Sequence, residues 1–320
     1  MKKRQLAIVF DDYSVRFVEL KIKGNRIKKI YNTFIIENNN LIKDGVFDKI
    51  EWNKLFNDLL HKKILKTKTV HVIIPTSLVI LRQQALPDLP VEQLKHFIAN
   101  EIGNTIFFPF EDPIFDIVKI ESEEPITNED GETTREGLII ATPGAVINDI
   151  IEILKEEKFK ILSIDIPALS YFRYIELFFP DIKYETKLLC YITDNGIDLH
   201  IFDKDILYFT RHIPKDLQKN YFFGDEDKFN DQGFASGLSF EIERAKNYFN
   251  FTLNNRTRKI SGIVISSERA LTDMFIDSLK EMIGIDITVI GNLNRTLPRK
   301  VKQFKGYEVG IGAFFREVKK

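Results

Sequence analysis

The chain has 320 residues, a length that suits two domains better than one, and with 44% apolar and 29% charged residues it can bury a substantial core, which excludes wholesale disorder. Forty-six basic against 47 acidic side chains leave a net charge of −1, which excludes a generic binder of polyanions. The one cysteine, Cys190, excludes an internal disulfide framework and any multi-cysteine metal site and fits a reducing compartment.

In chain order, Gln5–Phe10 reads as a short apolar strand. The basic start Lys2-Lys3-Arg4 imitates a leader, but its apolar part stops at Asp11-Asp12. Ser14–Lys23 alternates in its second half, and Arg26–Ile36 follows a Gly24-Asn25 turn, a hairpin signal. Glu51–Lys62 carries Leu55, Phe56, Leu59 and Leu60 at helical spacing, and Thr69–Ile74 reads as a buried strand. Next comes extra material, roughly Leu81 to Ile164, with amphipathic helices over Val91–Ile102 and Ala145–Glu157 and an acidic loop over Glu121–Glu136. Strands mixed with two such helices predict a small α+β subdomain. Ala168–Phe178 predicts a further helix.

The opening order then returns. Lys187–Thr193, Gly196–Phe202 and Asp205–Ile213 read as strands joined by turns at Asp194-Asn195-Gly196 and Asp203-Lys204. Ser239–Phe251 predicts a helix with Phe240, Ile242, Ala245 and Phe249 on one side, capped by Ser236 or Ser239. Lys259–Ser266 is a strand, Glu268–Ile283 a helix, and Ile285–Ile290 a last strand. Pro214–Ser236 has no period, and Arg295–Lys305 has five bases and no acid, the pattern of a solvated positive loop. Three strands, a helix and a strand thus occur twice, the order from which a two-lobed, actin-like α/β fold is built. The longest uncharged run, Thr69–Leu81, has 13 residues and contains Pro75, too short to cross a bilayer. A cytoplasmic location is expected, with any membrane association made through a partner.

Catalytic patterns are missing. The 16 glycines include no Gly-Gly pair, no Walker A run and no Gly-x-Gly-x-x-Gly. His61, His71, His96, His200 and His212 show no metal spacing, so no metal is expected. Gly233-Phe-Ala-Ser236-Gly237 misses the nucleophile elbow because both glycines come one residue early. No catalytic residue is assigned, and the chain is read as a non-enzyme.

The most specific signal lies in the middle. Ile74-Pro75 through Arg82, Leu86-Pro87 with Pro90, Glu92 and Leu94, and Ala99-Asn-Glu101 through Ile106-Phe107-Phe108-Pro109-Phe110, followed by Asp116, resemble a run of the PilM family of type IV pilus assembly proteins. Further segments match in order: Ala141-Thr-Pro143, Asp165-Ile-Pro-Ala168 with Arg173, Phe209-Thr-Arg211 with Pro214, Leu238 with Glu241 and Arg244, and Gly310-Ile-Gly312 with Arg316-Glu317. The resemblance spans essentially the whole chain. It implies an α/β, actin-like (duplicated ribonuclease H-like) fold related to the cell-division protein FtsA. The expected division is a first lobe over 1–81 and 165–185, an inserted α+β subdomain over 82–164, and a second lobe over 186–320 with a smaller helical part at about 214–258.

The family's three ATP loops would fall at Val9–Arg16, Cys190–Ile197 and Ile265–Ala270, and the sequence departs from all of them. The matching positions are Asp11, Asp12, Thr193, Asn195, Ser267 and Glu268; at Asp11, Thr193, Ser267 and Glu268 glycines have given way to side chains, two of them acidic. An acid facing phosphate repels it, and a Cβ blocks close backbone approach. These departures from the family's loops imply a lobe pair that has lost, or nearly lost, binding of ATP with magnesium. By the same likeness the chain is expected to be a scaffold that docks the N-terminal cytoplasmic tail of a PilN-like inner-membrane protein, with the assembly motor ATPase and the platform protein as further partners and no nucleic acid. Arg82, Phe107, Phe108, Pro109 and Phe110 are the candidate groove, placed where the first lobe meets the insertion. An active actin-like ATPase or polymer-former, and the actin-like part of a type II secretion apparatus, stay open as alternatives.

Overall fold

In the computed structural model, the described residues are 4–316 without 25, 38–40, 44, 62–63, 121–124, 128–130, 132, 178, 215–230, 254–256 and 291–304. The basic run over 295–304 and most of the aperiodic stretch after Pro214 lie outside them. The first part of the chain gives β1 (Gln5–Phe10), β2 (Ser14–Lys23), β3 (Arg26–Glu37), the small pair β4 (Ile42–Lys43) and β5 (Val46–Phe47), α1 (Lys49–His61) and β6 (Thr69–Ile73). The middle gives β7 (Ile80–Pro87), α2 (Val91–Glu101), β8 (Pro113–Lys119), β9 (Ile126–Thr127), β10 (Thr133–Pro143), α3 (Gly144–Glu156), β11 (Lys160–Asp165) and α4 (Pro167–Glu176). The last part gives β12 (Thr186–Ile192), β13 (Gly196–Asp203), β14 (Ile206–Pro214), α5 (Asp231–Tyr248) ending in a π-turn over Phe249–Leu253, β15 (Gly262–Ser267), α6 (Asp273–Ile283), β16 (Ile287–Val289) and α7 (Glu308–Gly312).

Two five-stranded sheets carry the duplication. Their orders are β11-β6-β1-β2-β3 and β16-β15-β12-β13-β14, the second being the first repeated in the later half. In each, an antiparallel three-strand meander is extended by parallel strands. Period-two alternation sorts the apolar residues of β1 between two cores. Leu6, Ile8 and Phe10 pack with Trp52 and Phe56 of α1 and Val146, Ile150 and Leu154 of α3. Ala7 and Val9 face Ala168, Tyr171 and Ile175 of α4 and Val309 and Ile311 of α7. That second core also holds Leu189, Tyr191, Phe202 and Val264 of the other sheet, so the lobes share apolar interior across the two helices. The α4–α7 crossing depends on Gly312, where a Cβ would stand 1.7 Å from the Ser170 carbonyl oxygen.

The inserted unit is a sheet of order β7-β10-β8, with β9 added on β10. Leu94 and Ile98 of α2 cover one face over Leu86, Ile117 and Ile139. Leu138 and Ile120 join the core of the second lobe. α3 and β11 do not belong to this unit: α3 packs on the first lobe and β11 is the outer strand of the first sheet. The far boundary expected at 164 therefore moves to Pro143.

Other expectations change locally. The helix placed over Glu268–Ile283 starts at Asp273, where Thr272 accepts from the Phe275 N–H (3.0 Å), and stops at Gly284 with φ 64°. Ser236 and Ser239 lie inside α5, which begins at Asp231, so neither caps it. The buried stripe of α5 and its π-turn is Phe234, Leu238, Ile242, Ala245 and Phe249, and Phe240 is exposed on another face. Among the described residues no helix is long and apolar enough to cross a membrane.

Candidate functional site

The turns β1–β2 and β12–β13 and the end of β15 come from different lobes, and the topology brings all three to one place between them. The six positions singled out there, Asp11, Asp12, Thr193, Asn195, Ser267 and Glu268, belong to one connected network. Arg16, with only 4% of its side chain exposed, lies at its centre. Its guanidinium pairs with Glu268 of the other lobe and with Asp11 (3.4 Å), and donates to the Gly306 carbonyl (3.0 Å). Glu268 also accepts the Asp194 N–H (3.0 Å), and Arg269 pairs with Asp194 (2.7 Å). Asn195 donates to Ser14 of the first lobe (2.9 Å).

A second bridge stands beside the first. Asp198 and His212 face each other in the β13–β14 register, with Nδ1 of His212 2.7 Å from Asp198 and Nε2 3.2 Å from Asp12 of the first lobe. Gly196 makes room for the imidazole, since a Cβ there would come within 2.4 Å of it. Thr76 donates to Asp198 (2.9 Å) and Ser77 to Asp12 (2.5 Å). Burial alone would lower the pKa of His212, but the Asp198 hydrogen bond and the surrounding carboxylates push it up to about 9. Burial likewise opposes ionisation of Asp198, yet His212 holds its carboxyl below the usual range. Burial raises Asp11, with the Arg16 charge opposing, and lifts Glu308, beside Tyr191, to about 7.

These contacts occupy the groups that an anion site needs. Phosphate is held by backbone N–H groups that converge on a gap. Here the Asn195 and Gly196 N–H groups donate to the Thr193 hydroxyl (both 3.1 Å), the Asp12 N–H to the Asp11 carboxylate (2.8 Å), the Arg269 N–H to Ser267 (3.1 Å) and the Glu268 N–H to Ile192 (2.9 Å). Among the described residues, a cavity lined among others by Asp11, Asp12, Arg16, Thr193, Asp198 and His212 measures about 30 Å³. That is room for about one water, against the roughly 300–1,000 Å³ of small-molecule sites. Among the described residues no cluster of metal-ligating side chains is present. Cys190 is buried, which pushes its thiol up and makes it a packing residue.

The candidate groove residues separate. Phe107, Phe108, Pro109 and Phe110 lie on the loop between α2 and β8. Phe107 is 66% exposed, and Phe108 and Phe110 stack at 5.7 Å, with Phe108 also against the core under α2. Arg82 lines a different surface, a cleft closed by Tyr248, Leu253 and Lys204 of the second lobe, to which none of the four contributes. The expected single groove against the first lobe therefore does not include Arg82.

Sequence reasoning missed the two bridging cations, Arg16 and His212. For His212 the local signal pointed elsewhere: continuing the register from the turn, where Asp203 faces Ile206, sets Arg211 opposite Asp198, and only the bulge between Ile201 and Phe202 brings His212 there. For Arg16 there was none: its carbonyl partner is 290 residues away.

No family model matches the chain, and no curated protein matches it. Among solved structures, a chain of a PilM-PilN type IV pilus biogenesis complex is similar over 98% of both chains, with 13% identity and a TM-score of 0.72. The cytoplasmic domain of EpsL, an inner-membrane component of the type II secretion system of Vibrio cholerae, aligns over 88% of this chain and 94% of its own, with 10% identity and a TM-score of 0.49. A protein of actin-like ATPase fold from Bacteroides thetaiotaomicron gives 94% of both chains, 10% identity and 0.45. The likeness to PilM read from the sequence holds at the level of the fold, and the chain has the actin-like, two-lobed architecture carrying an inserted α+β unit.

Proposed function

We propose that the protein is a non-catalytic scaffold of a type IV pilus or pilus-like assembly machine, at the cytoplasmic face of the membrane, docking the cytoplasmic tail of a PilN-like inner-membrane protein. What supports the non-catalytic part is the 30 Å³ cavity between Asp11, Thr193 and His212, together with the neighbouring Asn195 and Gly196 amides, which are bonded to the Thr193 hydroxyl. An ATPase of this fold would hold that space open and those donors free. The docking part rests on the shared fold with the pilus complex and on the loop Phe107–Phe110, where Phe107 is exposed beside half-buried Phe108 and Phe110, a surface suited to apolar side chains of a peptide.

Calorimetry tests the reading with two titrants, Mg·ATP and the tail peptide of the candidate membrane partner. We expect no heat from Mg·ATP up to about millimolar concentration, and saturable peptide binding weakened about tenfold by Phe110→Ala. Tight Mg·ATP binding would favour an active actin-like ATPase. Failure of the tail peptide to bind would remove the pilus partner.

A further inference from the structure

Strand β7 is paired on one side only, with β10. The register fixes which of its backbone groups are left over. The Asp88 N–H donates to the Thr133 carbonyl (2.9 Å), and these two residues lie opposite each other when the Pro87–Thr134 pairing is continued by one. In an antiparallel pair alternate residues exchange both bonds with the neighbour. Arg82, Gln84 and Leu86 therefore bond to β10, and Leu81, Gln83 and Ala85 turn N–H and C=O outward. Pro87 ends the row of donors because it has no N–H. No backbone partner on that side is found for these three among the described residues.

The outward edge faces a cleft of about 970 Å³. One wall is the unbroken run Leu81–Ala85, and the other is built by Lys204, Tyr248, Thr252 and Leu253 of the second lobe. The Gln83 amide already reaches the Leu253 carbonyl (3.2 Å), while the Oε1 atoms of Gln83 and Gln84 are buried with no donor. An edge strand left bare is a template for another chain. Strand β14 of the second lobe already lies against part of β7, and the cleft beside the remainder admits an extended segment but not the edge of another folded sheet.

From this geometry we propose that the cleft receives an extended segment of a partner protein as an added strand on β7, acidic along one face and apolar along the other. The two faces follow from the pleat. Arg82 is paired in register with Ile139, whose side chain lies under α2, so Arg82 stands on the α2 face, with no carboxylate partner among the described residues, and calls for an acid. Gln83 lies on the opposite face with Leu253 and Tyr248, where apolar side chains of the segment pack on Leu253 and Tyr248 while Glu136, Lys204 and the Asp203–Arg258 pair line the rest of the cleft. This site is separate from the Phe107–Phe110 loop and does not depend on the pilus reading.

Amide hydrogen exchange tests it, with two capped octapeptides as probes, one alternating Glu and Val and one alternating Lys and Val. In the free protein Leu81, Gln83 and Ala85 should exchange at least about a hundredfold faster than Arg82, Gln84 and Leu86. The Glu/Val peptide should slow the first set at least about tenfold, and the Lys/Val peptide should not. Ala85→Pro removes an outward donor without touching the β10 ladder and should abolish that protection, whereas Ala85→Val should keep it. Unchanged protection of the α2 amides shows that the proline variant is folded. Arg82→Glu should reverse the preference toward the Lys/Val peptide. The proposal is overturned by uniformly slow exchange along β7, by no protection at about 1 mM Glu/Val peptide, or by binding indifferent to Ala85→Pro.

Discussion

Arg16 is the side chain on which the interlobe network turns. It is buried and held by two carboxylates and a carbonyl. Removing one member of a buried pair costs more than the pair contributes, because the other charge stays in the interior. Arg16→Met should therefore lower stability by about 3–5 kcal/mol in urea unfolding, and the double variant Arg16→Met/Glu268→Gln should recover part of the loss. Additivity of the two changes would show that the pair is not coupled. His212 is the second such residue, and it titrates. Its folded pKa is raised from 6.5 to about 9, so the stability it supplies is present below pH 6.5 and lost as pH rises through about 9. The ceiling is about 3 kcal/mol. His212→Gln should flatten that alkaline decline.

The elements themselves were legible where their signals were local. Period two in β1 and β2, the Gly24 turn and the Asp203-Lys204 turn give two meanders in the expected order, with bulges in β2–β3 and β13–β14 that no local pattern announced. Errors arose where tertiary contacts outrank local pattern. Phe240 is as apolar as its neighbours, and only the packing of α5 on β12–β15 reveals that it points away. α3 looked like part of the insertion because it follows it in sequence, yet its apolar face fits the first lobe. The candidate site was readable as three segments but not as a closed network, since its bonds join residues as far apart as Ser14 and Asn195. The α4–α7 crossing makes a sharp prediction. Gly312→Ala puts a methyl group 1.7 Å from a backbone oxygen, which no rotamer relieves, so a loss above about 3 kcal/mol is expected in thermal or urea unfolding. A neutral result would mean that the two helices can slide apart.

For the molecule as a whole, buried titratable groups give a stability profile that declines on the alkaline side. Burial lowers His71 and His200 to about 4, so their contributions are present above pH 6.5 and disappear as pH falls through about 4. Glu308 acts in the opposite direction, losing its contribution between 4.5 and about 7, and His212 continues the decline up to about 9. Below pH 6.5 the two histidine gains are opposed by Glu308 and by Asp11, whose carboxyl burial also raises; above it Glu308 and His212 only lose, so stability should fall from about pH 6.5 to about 9. Urea midpoints measured from pH 4 to 10 check this, and a maximum above pH 9 would contradict the His212 bridge.

The inserted sheet leaves and rejoins the rest of the chain at neighbouring points, because Ile80 at the start of β7 sits opposite Ala141 near the end of β10. A unit grafted through so narrow a stem is a cassette: evolution or a cloning experiment can exchange it without rethreading the lobe beneath. Excising it and sealing the cut with a few glycines should leave the first five-stranded sheet intact by circular dichroism. The truncated protein should nevertheless turn sticky, since Ile120 and Leu138 would no longer shield the second lobe's interior, and its solubility would report how much of that shielding the cassette supplies.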